Sequence, residues 1–485
     1  MSDESKGLPM TAKWDPEKLQ QEIQGLQELE QKPFLPKVAG YLKRSGPGLM
    51  QSAMTLGAGS AAASVVAGAS FGYKLLWVQP LAMFLGVCML AALSNVVLTT
   101  QERPYQAFGK RVGWILVFLW ALGTVSASVI WHFPQYGLAA GAVCDLASMN
   151  GTLTAGTRAT LCWGTGVGIL LLNIITVWSY GSSRTGIKIY ETFLRIMISL
   201  VILSFAMVVL CNFKNIHWAE MGRGFLGLDA GPILQDPKNL VLVLGMLGAA
   251  VGINMTFLYP YSLLAKGWGT HHKTLAKWDL AMSMFVPFVL VTSLIMIGMT
   301  VGGVYEGDML RNGLKPLEAS AVLVNIIGPA GRVIFDLGLI GMACGAISAH
   351  MVVCGFTLPE MFGLKYTKWT FRLCALLPAV GILGVVTQLP FWFPVFASAI
   401  CFTMLPIAYL IFLIMSNNRN YIGDAVGKGP KRWIFNAILL VALLTATVGG
   451  LITIKNNVIA KISPATAEKI DSFLGISAHP AAEPK

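Results

Sequence analysis

Leu56-Gly57-Ala58-Gly59-Ser60 lies midway along an apolar run that opens at Pro47 and turns near Gly72. A run of that length reads as one membrane-crossing helix, and two glycines with a serine weaken it at its centre. Unwinding there frees backbone amides and carbonyls, which are tolerated at membrane depth only when buried in protein or lining a cavity. A second run repeats the signal: Gly245, Gly248 and Gly252 precede Asn254, and Tyr259-Pro260-Tyr261 follows. Paired interruptions in corresponding helices are the best sequence pointer to a transporter site. Close packing of small residues, as in GxxxG contacts, explains either break alone; their recurrence favours a site.

The surroundings fix the class. The chain has 485 residues, 55% hydrophobic and 12% charged, against about 25% charged in soluble domains. Apolar blocks such as 112–131, 192–211, 283–301 and 433–454 each reach the ~20 residues a hydrocarbon core requires. The fold class is therefore all-α integral membrane. Eleven spans are predicted, near 47–68, 73–98, 112–142, 159–179, 190–211, 239–264, 279–303, 331–355, 370–388, 391–415 and 433–455. With helices 1 and 6 broken, the spacing suits a 5+5 inverted repeat. Residues 1–45 form a polar segment in which Asp15-Pro16 reads as an N-cap and first-turn proline, with Leu19, Ile23, Leu26 and Leu29 at helical spacing. Residues 46–455 make the transmembrane domain and 456–485 a polar tail.

The net charge of +12 is topological. No basic helix with interleaved aromatics is present, which excludes nucleic acid as a partner. With the N-terminus in the cytoplasm, sixteen Lys and Arg fall in inner loops and eight in outer ones, the bias expected of a plasma-membrane protein. Eleven spans then place the C-terminus outside. Asn150-Gly151-Thr152 is a glycosylation sequon on a predicted outer loop. None of the eight cysteines forms a CxxC pair, and only Cys144 and Cys162 flank one loop closely enough to pair.

Polar residues inside spans are few and are functional candidates by default. His132 sits in Trp131-His132-Phe133-Pro134-Gln135, where Pro134 is expected to kink helix 3. Asp336, one turn after Arg332, is expected to pair with it. Glu191 is expected to complement the dipole at the start of helix 5. His350 follows Ser348 in helix 8, and His271-His272 reads as a surface loop pair. There is no HExxH or Walker sequence and no convincing nucleophile–base pair, so neither an enzyme nor a bound cofactor is implied.

Several stretches are familiar. Gly46-Pro47-Gly48, Ala69-Ser70-Phe71-Gly72-Tyr73-Lys74-Leu75-Leu76-Trp77-Val78, Gly248-Ala249-Ala250-Val251 and Asn417-Asn418-Arg419 with Gly423-Asp424 resemble, in order, the Nramp divalent-metal transporter family. The resemblance spans about residues 46 to 455. It implies the leucine-transporter-type inverted-repeat fold of the amino acid–polyamine–cation superfamily and proton symport of ions such as manganese or iron. It also implies a substrate site at Gly57, Ala58, Gly59 and Ser60 in helix 1, and at Ala249, Gly252, Ile253 and Asn254 in helix 6. The family's helix 1 motif is Asp-Pro-Gly-Asn and its helix 6 motif Met-Pro-His, so the matching positions here lack both the carboxylate and the thioether. The metal-ligand positions Gly57, Ser60 and Gly252 hold no metal ligand. His132 and Arg372 are the proton-pathway candidates, Arg372 by its match to the family's helix 9 arginine.

Dehydrating even one charge costs on the order of 20 kcal/mol by idealised Born estimates. Neutral oxygens from Ser60 and Asn254 therefore suit a partly hydrated ion such as magnesium, which gives up water reluctantly, or manganese. Two alternatives stay open: a small organic solute carried on the same scaffold, and a non-transporting receptor-like or scaffold protein.

Overall fold

The computed structural model describes residues 15–180, 184–311, 328–386 and 401–455, with isolated positions 314, 319, 320, 324, 397, 459 and 463. Helices are the only regular elements among them. Ahead of the membrane, α1 (Pro16–Gln31) begins where expected, Asp15 Oδ1 accepting the Glu17 N–H at 3.0 Å. Leu26 and Leu29 are its buried residues. Leu29 seats on Gly40 of α2 (Phe34–Arg44), where an added Cβ would lie 2.2 Å from a Leu29 methyl.

The first span is two helices, α3 (Pro47–Thr55) and α4 (Ala58–Phe71), bent by 49°. It is followed by α5 (Val78–Thr100), α6 (Pro104–Val112), α7 (Trp114–Ala147), α8 (Ala155–Tyr180) and α9 (Arg184–Cys211). The loop between the spans expected at 190–211 and 239–264 contains α10 (Trp218–Phe225) and α11 (Gly231–Gln235). Gly224 lies against the Tyr73 carbonyl, 2.1 Å from where its Cβ would be, and its own carbonyl accepts the Trp77 N–H at 3.2 Å. The Phe71–Trp77 string is thus the turn on which this loop seats.

The second broken span is α12 (Pro237–Ala250) and α13 (Ile253–Ala265). Then come α14 (Lys273–Asp279), a π-helical turn (Leu280–Phe285), α15 (Val286–Val301), α16 (Pro329–Met361), α17 (Lys368–Ala375), α18 (Leu405–Asn417), α19 (Arg419–Ile422) and α20 (Pro430–Ile454). Nine helices among the described residues are long and apolar enough to cross a membrane, and the bent pair α3–α4 makes ten. The span expected at 391–415 falls partly outside the described residues; α18 is its described end. The tail at 456–485 lies almost wholly outside them.

Pro134 lies inside α7, which is helical throughout Trp114–Ala147. One span differs from expectation. The span predicted at 370–388 is α-helical only through Ala375 and continues as a 3₁₀ helix over Leu377–Val385. In that geometry residues three apart eclipse, so Pro378, Gly381 and Gly384 share one buried edge. Added Cβ atoms at Gly381 and Gly384 would lie 2.2 Å from His132 Cβ and 2.1 Å from Phe133 O. Only a glycine edge admits this backbone-to-backbone approach to α7.

Burial sorts the helices. Every residue of α3, α4 and α13 is buried. The small residues of α4 permit close approach: a Cβ at Gly68 would meet Met296 O of α15 at 2.6 Å. Large apolar side chains stay exposed on α8 (Ile175), α9 (Leu203) and α20 (Leu451), where acyl chains rather than water would cover them.

Candidate functional site

The two breaks have the same construction. Gly57 (φ −129°, ψ −169°) and Gly252 (φ −90°, ψ 162°) are extended residues that start α4 and α13. Neither has a positive φ, so glycine is not there for conformational freedom. Space decides at Gly57: a Cβ would lie 2.8 Å from Gln135 Nε2 and 2.9 Å from Ala346 Cβ.

The freed backbone groups are taken up by side chains. The Ala58 N–H donates to Gln135 Oε1 at 2.9 Å. Ser60 Oγ donates to Thr55 O at 2.5 Å and lies 3.2 Å from Gly57 O. At the other break, the Met255 N–H donates to Asn254 Oδ1 at 3.0 Å, and the Gly252 N–H points at Met255 Sδ at 3.3 Å. With Oδ1 accepting, Asn254 presents its NH₂ to His350 Nδ1 at 2.9 Å, which makes that ring nitrogen the acceptor. His132 lies next to this pair, its ring centroid 5.5 Å from that of His350 and Nδ1 2.8 Å from Ser128 O. His132 Nε2 has no hydrogen-bond partner among the described residues.

Between the breaks a small cavity leaves about 20 Å³ for the centre of a water-sized molecule, room for roughly one water. Of the sequence-predicted residues, Gly59, Ser60, Ala249, Gly252 and Asn254 line it; Gly57, Ala58 and Ile253 are buried beside it. Met255, Gln135 and His350 also line it. A thioether is therefore present, three positions beyond Gly252, where the resemblance sought it. Arg372 is not brought into this group: its guanidinium carbon lies 5.2 Å from the ring centroids of both Trp178 and Trp369.

Polar contacts join the helix ends on both sides of the cavity. Fully buried Asp279 accepts the N–H groups of Gly48 (2.6 Å) and Gly46 (3.3 Å). Gly46 is wedged so tightly that a Cβ would lie 2.0 Å from Glu191 Oε1 and 2.3 Å from Lys266 Nζ. Glu191 does not cap a helix: it stands two turns inside α9 and pairs with Lys266 at 2.8 Å. Lys266 also donates to the Arg44 and Ser45 carbonyls, each at 3.1 Å. On the opposite face Arg332 makes two bonds to Asp145, of 2.5 and 2.6 Å. The expected Arg332–Asp336 pair is thus replaced by a contact across to α7. Asp336 is fully buried and lies beside Asp145.

Two expectations about loops also resolve. His272 is buried rather than surface-lying; its Nδ1 accepts the Gly269 N–H at 3.1 Å and its ring stacks on Trp268. Cys144 and Cys162 face each other as free thiols 3.4 Å apart. No group of three or more His, Cys, Asp or Glu that could hold a metal ion occurs among the described residues.

The family model described as natural resistance-associated macrophage protein-like (Nramp) matches residues 48–452. A divalent metal cation transporter MntH of Deinococcus radiodurans is 23% identical over 416 residues, covering 82% of this chain and 87% of that one. A manganese transporter of Eremococcus coleocola superposes with a TM-score of 0.67 at 15% identity, over 92% of this chain and 94% of the other. MhsT, solved with L-phenylalanine, superposes with a TM-score of 0.58 at 15% identity, over 84% of this chain and 97% of the other. These likenesses establish the leucine-transporter-type fold that the resemblance implied.

Proposed function

Since the chain belongs to the Nramp family, whose members are membrane transporters rather than enzymes, we propose that this multi-pass membrane protein moves a divalent metal ion by alternating access. The observation that carries the reading is the set of side chains meeting between the breaks: Asn254, His350, Met255, Ser60 and Gln135. It is neutral, so an ion passing here keeps part of its water. It offers imidazole and thioether, ligands that first-row transition ions take up more readily than magnesium does, manganese the least of them and iron more. The side chains are bonded to one another and to the breaks, so the arrangement is a closed resting one, from which Asn254 and His350 turn to a substrate ion.

A zwitterionic organic solute is less well served. Its carboxylate would seek free amides at the half-helix N-termini, but Gln135 and Asn254 already occupy the N–H groups of Ala58 and Met255. His132 remains the candidate carrier of a coupling proton, since its Nε2 has no hydrogen-bond partner among the described residues; Arg372, enclosed by tryptophans, is assigned no share. We place the protein in the plasma membrane with residues 1–45 and the N-terminal face cytoplasmic, 46–455 as the transport domain and 456–485 as a tail.

Manganese, magnesium and amino-acid flux into liposomes holding the purified chain tests the reading. Manganese uptake is expected, reduced about 10–100-fold by Asn254→Ala or His350→Ala, the range typical of losing a metal-site partner. Amino-acid flux indifferent to metal overturns the proposal, as does manganese flux untouched by both variants.

A further inference from the structure

At the N-terminal face, away from the breaks, lies a cavity of about 700 Å³ between α1–α2, the start of α9 and the end of α13. Six cationic side chains line it: Lys18, Lys43, Arg44, Lys188, Arg195 and Lys266. The two carboxylates in its wall are already engaged, Glu22 with Arg44 at 3.1 Å and Glu191 with Lys266 at 2.8 Å. Arg195 donates to the Ser45 carbonyl at 3.1 Å. The ammonium groups of Lys18, Lys43 and Lys188 have no hydrogen-bond or ion-pair partner among the described residues. A cation in transit would be repelled here, so the cavity is not on its route. The excess of positive charge calls for an anion.

The source of that anion follows from α9. Its 28 residues extend about 42 Å at 1.5 Å each, against a hydrocarbon core of about 30 Å. Its first turns therefore stand at headgroup level. Lys188 and Thr192, which line the cavity, continue at helical spacing into Ile196 and Leu203, 58% and 68% exposed. The cavity mouth thus opens at the head of a lipid-facing stripe. We propose that this cavity binds the phosphate group of an acidic phospholipid whose acyl chains lie along α9. Basic pockets between spans are suited to such headgroups. The bound phosphate joins α1–α2, α9 and α13, which are separate in sequence, and so stabilises the closed N-terminal face. This inference does not depend on the metal reading.

The test uses the full chain in vesicles of phosphatidylcholine alone or with phosphatidylglycerol, read by melting midpoint and by the lipid retained in native mass spectrometry. Phosphatidylglycerol is expected to raise the midpoint by several degrees and to be retained. The doubly substituted K43Q/K188Q chain should lose both effects while melting normally in phosphatidylcholine, and K188Q alone should lose part of them. K365Q/K368Q, on exposed lysines elsewhere, should keep both. No phosphatidylglycerol effect, an effect undiminished in K43Q/K188Q, or equal loss in K365Q/K368Q would overturn the assignment. Glycerol 3-phosphate reproducing the shift in phosphatidylcholine vesicles would overturn the lipid as its source.

Discussion

Replacing Asp279 by asparagine asks what holds α3 against the bundle. The carboxylate is fully buried and accepts the first amides of α3, from Gly48 at 2.6 Å and more weakly from Gly46 at 3.3 Å. A hydrogen bond to a charged acceptor contributes about 1.5–3 kcal/mol, a neutral one about 0.5–1.5. Asparagine therefore forfeits about 1–1.5 kcal/mol at Gly48. Loss of a negative charge at the α3 N-terminus removes a further ~0.3–1 kcal/mol. The Gly46 contact adds a smaller amount, and relief from burying a charge offsets part of the total. About 2 kcal/mol remains, a shift of roughly 30-fold in the equilibrium that keeps α3 docked. Hydrogen–deuterium exchange of the α3 amides reads this directly. Exchange in Pro47–Thr55 should accelerate about 30-fold, while Ala58–Phe71, anchored separately through Gln135, keeps its protection. Unchanged exchange in α3, or equal acceleration in α3 and α4, would refute the reasoning.

Three further outcomes are expected. Gln135→Leu leaves the Ala58 amide buried and unbonded, a penalty of about 1–3 kcal/mol, seen as a lower melting midpoint of the detergent-purified protein; an unchanged midpoint would mean the amide finds another acceptor. Arg332→Met strands Asp145 beside Asp336 and should destabilise by about 3–5 kcal/mol, and adding Asp145→Leu should recover most of the loss. If the double variant melts no higher than the single one, the ion pair is not what Arg332 supplies. Gly384→Ala drives a methyl to 2.1 Å from Phe133 O and should cost about 1–3 kcal/mol by overpacking, measurable as reduced yield of monodisperse protein, whereas Gly168→Ala, in open space, should be silent.

Features written in local chemistry were readable from the chain. Asp15-Pro16 announces α1 because capping involves neighbours only. The breaks were visible because glycines gather at both. Their cause was less so: Gly57 is required by the packing of Gln135 and Ala346, which no local pattern reveals. The partners that complete the site come from far along the chain. Gln135 is 77 residues from Ala58, and His350 is 96 from Asn254. Asp279 reaches back 231 residues to Gly48, and Arg332 187 to Asp145. Sequence proximity paired Arg332 with Asp336 at one helical turn, but the guanidinium found a better bidentate partner on α7. Met255 was missed because the family motif directs attention to the preceding positions. The one available signal was a thioether directly following Asn254.

The glycine edge of the 3₁₀ segment has a mechanical consequence. Where Gly381 and Gly384 meet His132 and Phe133, main chain rests on main chain, with no rotamers between them to rearrange. Such a seam can rotate as a unit but cannot slip, so α7 and residues 377–385 form one stiff frame. Attachment of α3 is of another kind: carbonyls, a lysine and a carboxylate, groups that water can replace one at a time. Opening should therefore begin as a hinge at α3, turning about a frame that does not deform.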